Sequence, residues 1–324
     1  MKTILLILCL VVPLALSSYD NHSLDKNNVI NAFSTNNVKN NKEEILSDSV
    51  TSHSLELYSN ISVANVVHPK SVDSQQMQMP KLDIDSSKFS SKEKSWFYQP
   101  KKDGTPSGEP KEIVDLISKN SSYYLGNTLS KNIYLTFDEG YENGFTGKIL
   151  DILKENKVKA AFFVTNPYIN SSTDLVKRMV AEGHLVCNHS THHPSMASIT
   201  NKEQFSQELM VVQNNFESLT GTKMPRFFRP PMGKYSELSL KYTEALGYKT
   251  IFWSFAYVDW KRDSQPSTEY GKKMIISRTH PGGIYLLHAS SKTNTEILDS
   301  VIKEWKKQGY VFKSLNELQP PAKN

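Results

Sequence analysis

Ile133-Tyr134-Leu135-Thr136-Phe137-Asp138-Glu139 is a β-prone run that ends in two carboxylates. Four later runs repeat the design. Residues 185–187 come just before His189, 226–228 before Arg229, and 284–287 before His288. Residues 250–252 lead through Trp253 and Ser254 toward Asp259. In a parallel α/β barrel, reacting groups gather at the carboxyl ends of the strands, where the loops form one open face.

Working outward, strands are expected at 133–137, 160–164, 185–187, 226–228, 249–253, 283–287 and 310–313. Between them, helical periodicity falls at 146–155, 173–182, 202–219, 236–246, 270–278 and 295–308. Ile149, Leu150, Ile152 and Leu153 make one apolar face of the first of these helices. Gly183 and Gly247 stand as stop signals after two others. Seven buried parallel strands with right-handed crossovers suit either a barrel or an open doubly wound sheet. Chemically useful residues follow strands all round the series rather than at one switch point, which favours the barrel.

Ahead of that region the chain changes character. Met1-Lys2, the apolar run 4–14 and Ala15-Leu16-Ser17 read as a secretory signal peptide over 1–17, with an uncleaved anchor as the alternative. Cleavage would leave Cys187 as the only thiol and rule out an intramolecular disulfide. Within its apolar run, Cys187 reads as a buried inert thiol rather than a nucleophile. A bridge-free exported chain suits a bacterial envelope. Net charge of +5 fits attraction to an acidic wall and is too mild for nucleic acid. Residues 18–92, rich in Asn, Ser, Asp and Lys, are expected to be a disordered spacer. Order is expected from about 93, with Trp96-Phe97-Tyr98. A lead-in to 130 holds a turn region at 100–110 and a short helix at 112–118. The domain proper spans 131–318, and 319–324 is a tail.

His189-Ser190-Thr191-His192-His193 puts two imidazoles four residues apart. On a helical turn they would lie on one side, about 5–6 Å apart at Cβ, with His192 pointing away. That suits a shared cation, although a surface histidine cluster has the same look. Asp138-Glu139 after a buried strand would be costly without a cation or donors. A solvated turn is the plain alternative. Glycosidase carboxylates stand roughly 5–9 Å apart across the scissile bond, which sequence neighbours do not usually do. Arg229-Pro230-Pro231-Met232-Gly233 is a stiff loop that could aim Arg229 at an acid, or be a structural turn. An Asp beside His288 would raise its pKa, as a proton donor near neutrality needs, and Asp259 is the candidate.

Together these segments resemble the polysaccharide deacetylase family. Its pattern is Thr-Phe-Asp-Asp, His-Ser/Thr-x-x-His, Arg-x-x-x-Gly with prolines, Asp-x-x-Asp-Trp and Leu-x-His. Here it stands as Thr136-Phe137-Asp138-Glu139, His189 to His193, Arg229 to Gly233, Ala256-Tyr257-Val258-Asp259-Trp260 and Leu286-Leu287-His288. The resemblance covers about residues 95–318 and implies a distorted (β/α)7 barrel. It makes Asp138 the general base, Glu139, His189 and His193 the ligands of a divalent metal, zinc first. Arg229 would hold Asp138, and Asp259 would tune His288, the general acid. Glu139 and Ala256 both stand where the family usually has Asp.

The stretch 253–260 and Glu142-Asn143-Gly144 resemble one branch, the peptidoglycan N-acetylmuramic acid deacetylases of spore-cortex δ-lactam synthesis. That implies a monomer acting on glycan strands in the wall space or the forespore intermembrane space, with no stable protein partner. N-acetylglucosamine polymers, O-acetylated xylan, or wall binding without catalysis are the alternatives. Tyr141, Trp253, Tyr257, Trp260 and Tyr285 are candidates for stacking on sugar rings, with core packing the other use of such residues.

Overall fold

A computed structural model describes residues 82–321. Its elements are β1 (Lys94–Ser95), α1 (Lys111–Ser118), β2 (Ser122–Tyr123), β3 (Asn132–Glu139), α2 (Thr146–Glu155), β4 (Ala161–Val164), α3 (Asn166–Ser171), α4 (Thr173–Ala181) and β5 (Leu185–Asn188). They continue with α5 (Lys202–Thr220), β6 (Phe227–Phe228), β7 (Lys234–Tyr235), α6 (Glu237–Ala245), β8 (Lys249–Ile251), α7 (Thr268–Ser277), β9 (Gly283–His288), α8 (Lys292–Lys307) and β10 (Val311–Phe312).

The main sheet runs β10-β3-β4-β5-β6-β8-β2, with β9 paired to β3, and every one of these pairings is parallel. A bridge between Phe255, just past β8, and Tyr285 of β9 brings the ends of the curl together. The fold is the distorted (β/α)7 barrel expected from the alternating runs. β2 extends it, and its two-residue length left no periodicity to read. β1 and β7 form a separate antiparallel pair that ties the lead-in to the Arg229 loop.

Alternation along β3 explains how the layers form. Ile133, Leu135 and Phe137 join Ile149, Leu150 and Leu153 of α2 and Ile297, Leu298 and Val301 of α8 in the core between sheet and helices. Tyr134 points the other way, into the barrel, with Ala161, Phe163, Cys187, Phe227, Ile251 and Ile284. Cys187 is a free, fully buried thiol whose pKa burial pushes up, so it is inert at neutral pH. Among the described residues no helix is long and apolar enough to cross a membrane.

One boundary moves. Residues 82–92 belong to the folded unit rather than to the spacer. Leu82 is 4% exposed and packs with Met196, Phe205 and Leu238, with Ile84 and Phe89 against the same cluster. Only three apolar residues of the segment make this contact, too few to give a periodic signal in a polar stretch. The signal peptide expected at 1–17 and the rest of the expected spacer, 18–81, lie outside the described residues. Leu82→Ala should cost about 2–3 kcal/mol in urea unfolding. A variant as stable as the parent would mean this segment does not hold the barrel.

Candidate active site

Register brings the candidate groups together. Asp138 and His288 face each other as paired residues on β3 and β9, so their Cα atoms sit one strand spacing apart, about 5 Å. His189 and Arg229 each follow the last residue of their strands, and those residues, Asn188 and Phe228, are themselves paired. Asp138, His189, His193 and His288 line one cavity of about 540 Å³.

Arg229 is fully buried and donates from Nη1 to Asp138 Oδ1 at 2.7 Å, from Nη2 to Thr136 Oγ1 at 2.9 Å and from Nε to the Ile251 carbonyl at 3.0 Å. Burial alone would raise the Asp138 pKa. The Arg229 charge, helped by His189 and His288, outweighs it and holds the carboxyl below the usual range. The loop that delivers Arg229 is tight. Met232 and Gly233 both have positive φ, 58° and 65°, and a Cβ on Gly233 would come within 2.8 Å of the Trp253 ring.

On the other side of the cavity, His288 Nδ1 lies 2.7 Å from Asp259 Oδ1, and its backbone N–H donates to Asp259 Oδ2. Burial depresses the imidazole pKa, but the Asp259 charge and hydrogen bond together with the Asp138 charge outweigh it, so the net shift is upward. Asn294 donates from Nδ2 to Asp259 Oδ2 at 2.6 Å and to the His288 carbonyl at 3.0 Å, and Tyr257 donates its hydroxyl to Asn294 Oδ1. The sequence reading missed Asn294. Its one signal was its place three residues after the helix-capping Ser291, where its side chain can reach back over the end of β9.

His189 Nδ1 is 2.8 Å from the Arg229 carbonyl, so that nitrogen carries the proton. Nε2 then presents a lone pair to Asp138 Oδ2 at 3.5 Å. Burial, partly offset by Asp138, lowers the His189 pKa to about 4 and keeps the ring neutral. A neutral lone pair that opens on the cavity beside an ionised carboxylate is a donor set that a divalent cation would suit. His193 stands edge-on to His189 at 4.9 Å between ring centres and opens on the same cavity. These residues fit a divalent metal.

Glu139 does not join them, and this corrects its expected place among the metal ligands. β3 remains regular through Glu139, so the residue after Asp138 must point to the helix side. Its carboxyl is fully buried, lines neither cavity around the two histidines and has no hydrogen-bond partner for either oxygen. Burial, with the Glu142 and Asp138 charges nearby, pushes its pKa well above the usual carboxylate range. Among the described residues no group of three or more His, Cys, Asp or Glu is gathered as a complete metal cage. The loop 189–193 is not the helical turn expected from its spacing either. Ser190 and His193 take positive φ, 69° and 57°, and His192 turns away to Glu208.

The aromatic candidates divide. Trp260 is 45% exposed with its ring 5.5 Å from His288, and Tyr141 is 43% exposed and donates to the Trp260 carbonyl. Trp253 lines the cavity. Tyr257 also lines it but is buried with its hydroxyl on Asn294, and Tyr285 is wholly interior with its hydroxyl on the His280 N–H. Trp96, Phe97 and Tyr98 form a wall of the cavity, a role not read from the sequence. Ala256 lines it too, leaving an apolar patch where the family pattern has an acid.

Residues 126–251 match the family model for polysaccharide deacetylases. The chain belongs to the polysaccharide deacetylase family. It is 45% identical over 224 residues to the peptidoglycan-N-acetylmuramic acid deacetylase PdaA of Bacillus subtilis, covering 69% of this chain and 85% of that protein. The solved structure of Bacillus subtilis PdaA, described as a family 4 carbohydrate esterase, superposes with a TM-score of 0.69 at 44% identity, over 71% of this chain and 97% of that one. A peptidoglycan-N-acetylglucosamine deacetylase of Bacillus cereus is 29% identical over 211 residues, 64% of this chain and 75% of that protein.

Two outcomes follow from the geometry. Because the Asp259 charge lifts the His288 pKa, Asp259→Asn should move the alkaline limb of the rate profile to lower pH. The acid limb, which belongs to Asp138, should stay in place. An unmoved alkaline limb would detach Asp259 from the proton donor. Glu139→Gln replaces a buried acid that lies outside the cavity by its near isostere, so zinc affinity should stay within about threefold of the parent. A loss of one hundredfold would return Glu139 to the metal.

Proposed function

We propose that this chain hydrolyses the N-acetyl amide of peptidoglycan amino sugars, N-acetylmuramic acid first among them. The observation that carries the reading is the pairing of Asp138 with His288 across adjacent strands. Arg229 holds the pKa of one below the usual range and Asp259 raises that of the other, over a single open cavity. The similarity to PdaA supports the choice of sugar.

Asp138 Oδ2, the oxygen not taken by Arg229, accepts a proton from water as the water oxygen bonds to the acyl carbon. His288 then delivers its Nε2 proton to the amide nitrogen as the C–N bond breaks, and acetate and a free amine leave. Asp259 keeps the His288 ring oriented throughout through Nδ1. A divalent ion, zinc first, would be held by His189 and His193 beside Asp138. When bound it supplies Lewis-acid polarisation of the amide and lowers the pKa of water toward about 7.

Exposed apolar side chains ring the mouth, with Phe97, Met232, Val258 and Trp260 on one cavity and Tyr141 on its neighbour. They offer flat apolar surfaces to sugar faces, and Trp260 is the first platform. In the muramic case the freed amine can close on the lactyl carboxyl, which suits a step toward cortex δ-lactam. Export as a monomer to the envelope, through the leader read at 1–17, completes the proposal.

The test is acetate release and product mass on stem-stripped glycan strands, compared with chitooligosaccharides. Expected is loss of acetyl at muramic residues, abolished by chelator and about a hundred- to ten-thousandfold slower in Asp138→Asn and His288→Ala. Deacetylation confined to glucosamine residues would change the sugar. No acetate with any divalent metal would leave a wall-binding protein.

A further inference from the structure

The loop that carries His189 and His193 is held by a group outside the family's signature segments. Four successive backbone N–H groups, from Ser190 to His193, are all bound by side-chain oxygens. Asn188 Oδ1 takes that of Ser190 at 3.0 Å, and Ser190 Oγ takes that of His193 at 3.0 Å. The middle two both go to Glu208 Oε2 of α5, from Thr191 at 3.0 Å and from His192 at 2.9 Å. Glu208 Oε1 lies 2.7 Å from His192 Nδ1, and its own carbonyl accepts the Thr191 hydroxyl at 2.9 Å. The next carbonyl along the helix, that of Leu209, accepts Asn188 Nδ2 at 2.8 Å.

Two of these residues, Ser190 and His193, hold left-handed φ without being glycine. Such a backbone persists only where its surroundings over-determine it. Successive N–H groups turned to one side form an anion-binding concavity. Here the anion is built in, because the Glu208 carboxylate sits in the concavity with its side chain only 12% exposed.

We propose that Glu208 is a positioning residue for the metal site, acting through the backbone of residues 191 and 192 to hold the turn that brings His193 beside His189. The inference rests on the reading of those two histidines as the metal-holding pair. His192 is the visible partner of Glu208 but the lesser one. The two backbone donors set the shape of the turn, whereas the imidazole is exposed and faces away from His189.

The experiment measures zinc affinity of the full chain by competition with a chromophoric chelator, alongside Tm and acetate release, for Glu208→Ala, Glu208→Gln and His192→Ala. Glu208→Ala should weaken zinc about ten- to a hundredfold. Glu208→Gln, whose amide oxygen still reaches both N–H groups, should recover most of that affinity. His192→Ala should bind like the parent. If Glu208→Ala does not fold, Glu208→Asp takes its place, since the shorter arm cannot span to the loop and should weaken zinc likewise. Parental zinc affinity in the folded Ala or Asp variant, whatever its Tm, overturns the proposal. So does a Gln variant as weak as Ala. Were the parent itself to bind no zinc and release no acetate, the hydrolase reading would fall too. A parent that binds zinc and turns over, with unchanged Glu208 variants, would fault this inference alone.

Discussion

Everything in the site leans on the buried guanidinium of Arg229. It is wholly enclosed and reaches Asp138 and Thr136 on β3 and the Ile251 carbonyl on β8. It also stacks 4.2 Å above the Phe163 ring on β4. Its own backbone carbonyl fixes the His189 ring. One residue therefore sets the charge of the Asp138 carboxyl and the tautomer of the His189 imidazole. Removing one partner of a buried pair of this kind costs about 3–5 kcal/mol, because the other charge is left without compensation. The stiff Pro230-Pro231 loop and the close seat of Gly233 against Trp253 explain how such a costly group is delivered to the barrel centre.

Much of this could be read from the sequence, for a physical reason. Parallel strands buried on both faces must be nearly continuous apolar runs, so β3, β4, β5 and β9 stood out, together with the residues that end them. The amphipathic helices α2 and α5 came within a residue of their expected bounds. What stayed hidden was short or non-periodic. β2 and α3 have too few residues for a pattern, and the packing of Leu82 depends on contacts distant in sequence. Asn294 looks like any polar residue near a helix start until the fold sets it over Asp259.

Glu139 marks a different kind of limit. The alternation that identified β3 as a strand already implied that adjacent acids on it face opposite ways. Only a break after Asp138 could have brought both carboxylates inside, and β3 continues in regular form to Glu139. Here a regular strand carries its last residue into the layer between sheet and helices, where the longer carboxyl is buried. The cavity is left with the imidazoles of His189, His193 and His288 and the outer oxygen of Asp138, without Glu139.

The most direct measurement is zinc-edge anomalous diffraction from zinc-loaded crystals. The account predicts a single peak within about 2.0–2.2 Å of a ring nitrogen of both His189 and His193, beside Asp138, with the carboxyl of residue 139 still on the helix side of the sheet. A peak ligated by Glu139, or one remote from the two imidazoles, would contradict it.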